Sequence, residues 1–216
     1  ALPAPRLSGI PRRRRPVTDG PILWIGTSDA PYVYQLGPRP VGPQFLKYFA
    51  SQRAFDAGLN AAVRKRVLFR PYPTAFGWSN QPGLSGKPLG VTLDDFSKGF
   101  HQCMAEARLV VVDHPGSTTM LEALSANIPV LCFGSPDDFD IRPNARTLYD
   151  RLARQGLYHL SAENAAKTVN HIAADVPTWW AAPDRQSATR AFADNFALRG
   201  SFLRAWSRFV SSRGKD

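Results

Sequence analysis

The residues best suited to chemistry lie in one run, Asp113-His-Pro-Gly-Ser-Thr-Thr119, with Glu122 about one turn further on. Pro115 cannot continue a sheet ladder, and Gly116 reaches backbone angles that other residues resist, so the chain must turn there. Ser117, Thr118 and Thr119 then stand where a helix N-cap belongs. A helix start leaves backbone N–H groups unpaired and carries a partial positive charge, so it suits a phosphate, and three hydroxyls add donors. Glu122 is placed to accept hydrogen bonds from ribose hydroxyls. His114 can contact a phosphate or an acceptor, or merely cap the turn; beside an anion its charged form is favoured. The same residue types also make an ordinary capped helix that follows a core strand.

The elements that must position these groups are legible on either side. Leu109 to Val112 is a continuous apolar, mostly β-branched run, the pattern of a strand covered on both faces of a parallel sheet. Met120, Leu121 and Leu124 give the following helix an apolar face. Ile22 to Ile25 reads as an earlier strand that ends at Gly26-Thr27-Ser28, a turn able to face a phosphate, although many strands end this way. Val67 to Arg70 reads as another, with Arg70 at its end, where a fixed guanidinium faces a phosphate or pairs with an acid such as Asp113. Tyr72 and Trp78 follow, able to stack on a base or to serve as packing. Ile128 to Phe133 is a further buried strand. The loop after it carries Asp137, Asp138, Asp140 and Arg142 at a carboxyl strand end, where ligands gather in open α/β sheets; as a solvated acidic turn it needs no ligand.

The run Asp-His-Pro-Gly-Ser-Thr-Thr-Met-Leu-Glu-Ala-Leu124, followed by Ser-Ala-Asn-Ile-Pro-Val-Leu-Cys-Phe133, resembles the donor-binding half of GT-B-type glycosyltransferases. More narrowly, it resembles the bacterial transferases of surface-polysaccharide biosynthesis. The resemblance is specific at 113–133 and looser over about 20–210. It implies a nucleotide-sugar as co-substrate, with no separate cofactor and no bound metal. Gly116, Ser117, Thr118, Thr119 and Arg70 would meet the donor's phosphates and Glu122 its ribose, while Thr27, Ser28 and Arg142 would face the cleft. Arg70 and His114 are the candidates for the chemistry itself. The acceptor would be a glycan or lipid-linked, and the general base would come from an N-terminal acceptor domain beyond this chain. The location implied is cytoplasmic, with peripheral association at the inner face of the membrane.

The rest of the chain is consistent with that architecture. Gln44 to Arg66 has helical spacing in Phe45, Tyr48, Phe49, Phe55, Leu59 and Val63. Further helices are expected near 95–107, 144–155, 161–175, 184–197 and 201–212, with proline-rich loop at 31–42 and Gly/Pro/Ser-rich loop at 79–90. The late aromatics Phe192, Phe196, Phe202, Trp206 and Phe209 read as core or inter-domain packing. Strand and helix alternate from 22 to 133, which predicts a Rossmann-like, doubly wound parallel sheet flanked by helices, with a helical C-terminus. Residues 1–20 are read as a flexible basic arm or linker, and 21–214 as the nucleotide-sugar-binding domain.

Composition sets the outer limits. The chain has 216 residues, 44% of them hydrophobic, enough for one sizeable domain. It has no run of about 18 apolar residues. Cys103 and Cys132 make no framework and read as core thiols of a reducing compartment. The net charge is +10, and Arg6 with Arg12 to Arg15 supply half of that excess. Such charge can meet nucleic acid, anionic lipid or a polyanionic glycan, or can be a solvated linker. Nucleic acid is the less expected partner, since the arm carries no interleaved aromatics. Other chemistries considered are a GT-B-fold nucleotide-sugar epimerase, a polyol-phosphate transferase, and a hydrolase using Ser117. The last lacks the Gly-x-Ser-x-Gly setting that exposes a nucleophile.

Overall fold

Six short strands pair in one sheet, all parallel, in the order β3-β2-β1-β4-β5-β6. They are β1 (Ile22–Ile25), β2 (Val67–Arg70), β3 (Thr92–Leu93), β4 (Leu109–Val112), β5 (Val130–Phe133) and β6 (Tyr158–His159). The computed structural model describes residues 2–28, 42, 44–74, 89–135, 139 and 141–213. The expected loop residues 31–41 and 79–88, together with Trp78, Asp137, Asp138 and Asp140, lie outside these. The doubly wound parallel sheet expected from the sequence is the sheet observed.

Alternation along the strands builds two cores, because successive side chains point to opposite faces. Leu23, Ile25, Val110, Val112, Val130 and Cys132 share one apolar cluster. It is covered by α4 (Phe100–Glu106), α5 (Thr118–Ser125), α6 (Pro143–Arg154) and α9 (Pro183–Phe196), through Met104, Met120, Leu124, Leu152 and Phe192. Ile22, Trp24, Leu109, Val111, Leu131 and Phe133 share the other. There α2 (Gln44–Gly58), α3 (Ala61–Arg64) and α7 (Ala162–Ile172) close the layer with Phe55, Val63, Ala166 and Val169. β1, β4 and β5 are buried at every residue, which is why they read as unbroken apolar runs. Both cysteines are free and buried.

Several boundaries differ from expectation, each for a local reason. The single helix expected over 44–66 is two. Asn60 is extended, and its side-chain oxygen accepts from Val63 N at 2.9 Å, which starts α3 afresh. The helix expected from 95 starts at Phe100. Asp94 and Asp95 instead accept from Phe96 N and Ser97 N, and Phe96 sits at φ 59°. Trp179-Trp180 lies in a short helix not anticipated, α8 (Val176–Ala181), capped by the Asp175 carboxylate. Gly156 and Asn127 take the left-handed conformation expected of residues that end helices.

The opening segment is the largest departure. Residues expected as a flexible arm form α1 (Pro5–Gly9), and Leu7 and Ile10 enter the first core. Arg13 N donates to Ala126 O at 2.7 Å, and its guanidinium donates to the carbonyls of Met104 and Ala105. Pro3 O accepts from the Trp206 indole in α10 (Phe202–Arg213). Two apolar residues three apart, together with these hydrogen bonds, seat a segment whose composition reads as linker. No helix among the described residues is long and apolar enough to cross a membrane.

The layers are locked at one buried carboxylate. Asp113, 1% exposed at the end of β4, accepts from the Trp24 indole of β1 at 3.1 Å and from the Gln52 amide of α2 at 2.8 Å. Gln52 also donates to the Tyr48 hydroxyl, which accepts in turn from Thr27 N at 2.7 Å. Burial, then the charge of Asp113, pushes the Tyr48 pKa well up, so the phenol stays neutral.

Asp113→Ala would strand the Trp24 and Gln52 donors and should lower stability by about 3 kcal/mol, read as a shifted urea midpoint at constant slope. A second expectation concerns acid. Burial lowers the His159 pKa below its ordinary 6.5, against the opposing pull of its hydrogen bond to Gly156 O. The unfolded chain therefore takes up that proton first. The stabilisation from a neutral His159 is complete above 6.5 and declines as pH falls through 6.5 to the folded value. Melting temperatures measured between about pH 7.5 and about pH 5.5, one unit either side of the ordinary value, should fall with pH, and less steeply in His159→Gln.

Candidate functional site

β1 lies between β2 and β4, so strand order reverses there, and the carboxyl ends of β1 and β4 open onto a crevice of the kind where α/β sheets bind ligands. A cavity of about 590 Å³ lies at that place. Its walls include Gly26 and Thr27 after β1, Arg70 at the end of β2 with Pro71 to Pro73 after it, and His114 with Gly116 to Thr119 after β4. Tyr72 is part of this wall. The sequence-predicted residues Thr27, Arg70, His114, Gly116, Ser117, Thr118 and Thr119 are thus brought together.

The helix start is built as the sequence implies. Ser117 is the N-cap of α5, and its hydroxyl oxygen accepts from Thr119 N at 3.1 Å. That leaves the hydroxyl proton available to a ligand. Ser117 and Thr119 are buried, while Gly116 and Thr118 are exposed on the wall. The turn is held from behind: the Tyr149 hydroxyl donates to Pro115 O at 2.7 Å, and a Cβ on Gly134 would fall 2.7 Å from Pro115 Cδ. Glycine is needed at 26 for a similar reason, since a Cβ there would lie 2.9 Å from the Phe69 ring.

Arg70 takes a different acid from the Asp113 considered at first. Its Nη1 donates to Asp94 Oδ2 at 2.5 Å and to Lys98 O at 3.1 Å, and its guanidinium lies over the Phe96 ring at 4.7 Å. Both side chains of this pair are largely buried. Asp113 is committed to the Trp24 and Gln52 donors instead. Arg70 is therefore a fixed positive charge on the cavity wall. Cys103 Sγ lies 3.3 Å from the same Nη1, and burial raises its pKa, so it remains a thiol. His114 Nδ1 is 3.5 Å from Asp113 Oδ1, and its ring stacks on Phe139 at 5.9 Å with the planes inclined by 29°. With Nδ1 beside the carboxylate, Nε2 is the nitrogen left for a ligand.

Three predicted residues lie elsewhere. Ser28 is fully buried and off the cavity wall. Arg142 lines a separate cavity of about 260 Å³ on the far side of Gly116 and Ser117, with Leu121, Tyr149 and Phe192. Glu122 is 1% exposed; Oε1 lies 2.5 Å from Arg6 Nε and Oε2 3.2 Å from His101 Nε2. One helical turn past Thr118, its side chain meets α1 and α4 rather than the cavity.

Arg6 and His101 also line the large cavity, and sequence reasoning did not find them. For Arg6, Pro5 as a helix opener with Leu7 and Ile10 three apart is the sequence signal that the segment docks. The cavity thus carries two arginines, two imidazoles and a capped helix start, the chemistry of an anion site.

No curated protein matches the chain. The model of one family does, that of the LIC12162 family transferases, over residues 1–208. That span takes in the whole sheet, the switch-point cavity and the opening segment, and the chain belongs to the LIC12162 family of transferases.

Proposed function

We propose that this transferase domain binds the nucleotide-sugar donor of a glycosyl transfer whose acceptor is a surface polysaccharide precursor, glycan or lipid-linked. The observation that carries the reading is the convergence of Arg70, His114 and the capped start of α5 on one cavity at the sheet's switch point. A diphosphate leaving group carries the charge that develops as the sugar departs. Fixed cations and backbone N–H groups aimed at it lower that barrier without reorganising. Ser117 and Thr118 donate hydroxyl protons to phosphate oxygens, the N–H groups of the first helical turn add theirs, and Arg70 is held rigid by Asp94. His114 offers Nε2 to the leaving phosphate or to the acceptor.

In this reading the acceptor and the general base are supplied by a further domain, and the protein works in the cytoplasm, at the inner face of the membrane when the acceptor is lipid-linked. The resemblance at 113–133 supports glycosyl transfer within the broader transferase assignment. Membership in a transferase family argues against an epimerase or a hydrolase. The alternative of a free arginine arm for nucleic acid meets a segment that is docked on the domain, with Arg6 held by Glu122 and Arg13 by backbone carbonyls.

A thermal-shift panel of UDP, GDP, CDP, CMP and ADP with their sugar conjugates tests the proposal. A ligand that binds only the folded state raises the midpoint by mass action. One base series should stabilise the wild type, by about 3 kcal/mol at a hundredfold excess over Kd, and Ser117→Ala with Thr118→Ala should abolish the shift. No shift from any nucleotide at millimolar concentration would reject the donor site.

A further inference from the structure

The carboxylate of Glu122 poses a problem that the opening segment answers. At 1% exposure it has lost nearly all its water, and a buried charge needs a counter-charge. Arg6 supplies it, with Nε 2.5 Å from Oε1. Oε1 receives no well-aligned hydrogen bond, so the pair is held by charge and proximity. Arg6 reaches this place because Leu7 and Ile10 are seated in the core and Pro5 opens α1.

Only one edge of the guanidinium is used in this way. Nε faces the carboxylate, while the side chain is 68% exposed and lines the cavity that Gly116, Ser117 and Thr118 also line. Among the described residues Glu122 is its one acidic partner. A guanidinium has donors along two edges, and among the described residues Nε is the nitrogen that meets the carboxylate. The Arg6 side chain thus brings a positive charge to the wall that Ser117 and Thr118 share.

We infer that Arg6 is a phosphate-binding residue of this cavity, held in place by Glu122, and that the opening segment is therefore one wall of the site. The inference rests on the donor-phosphate reading of the cavity. It assigns Glu122 a positioning role, acting through Arg6 instead of touching a ribose. It also makes ligand affinity depend on the seating of residues that are remote in sequence from the helix start.

Isothermal titration of the whole chain with inorganic pyrophosphate at low ionic strength separates the possibilities. The wild type should bind, and Ser117→Ala should bind more weakly. Arg6→Ala should lose about tenfold or more, as expected for a charge-assisted contact, and Arg6→Lys should lose less. Glu122→Gln removes the anchor without leaving a buried charge, so it remains folded even where Arg6→Ala does not, and it should weaken binding severalfold. The double variant should bind no more weakly than Arg6→Ala alone, because Glu122 acts through Arg6. Wild-type affinity in Arg6→Ala, with Ser117→Ala impaired, would overturn the inference and leave the phosphate site standing. Equal losses in Arg6→Ala and Arg6→Lys would also overturn it, by assigning the effect to fit instead of charge. A wild type that does not bind pyrophosphate would remove the phosphate site and this inference together.

Discussion

A carboxylate shut away from water has to be answered from within the chain, and the answer given to Asp113 fixes the geometry of everything above the sheet. Its partners come from β1 and α2, so one side chain ties together the two strands that flank the switch point and the helix that covers them. Through Gln52 and Tyr48 the same network reaches Thr27 N at the mouth of the cavity. The crevice between β1 and β4 is thus held open by a connected set of satisfied polar groups. Such a set specifies one arrangement because every alternative leaves a buried group unpaired.

The same device recurs around the cavity with cations in place of neutral donors. Asp94 holds Arg70, and Glu122 holds Arg6, each acid being 8% exposed or less. The positive charges on the wall are in this way set before any ligand arrives. That is what electrostatic stabilisation of a departing phosphate requires, since a flexible cation would have to be ordered at the moment of reaction. The neutral Tyr48 and the protonated Cys103 add no competing negative charge nearby.

The centre of the sheet was legible because β1, β4 and β5 are buried on both faces and therefore read as apolar runs, as in Leu109–Val112 and Val130–Phe133. The helix start at Ser117 was legible because capping is a local matter of residue type and spacing. What escaped the sequence was long-range partner choice. Arg70 was free to be assigned to Asp113 or to a ligand, and its pairing with Asp94 depends on the turn by which Asp94 caps Phe96 N at positive φ. Glu122 has the spacing of a ribose ligand, yet its direction is set by α1, a segment whose arginines and prolines hide two anchoring apolar residues. Arg142 follows the right strand, but the turn at Gly116 separates it from the main cavity.

Hydrogen–deuterium exchange with and without a saturating nucleoside diphosphate tests the central claim most directly, because it reports backbone amides at the proposed phosphate site itself. Slowed exchange across Ser117 to Met120 is the expected result, since those amides would be taken up by the ligand or closed off by it. Protection confined to a third, separate cavity, lined by Tyr48, Ser135 and Glu163, with no change at Ser117 to Met120, would contradict the account.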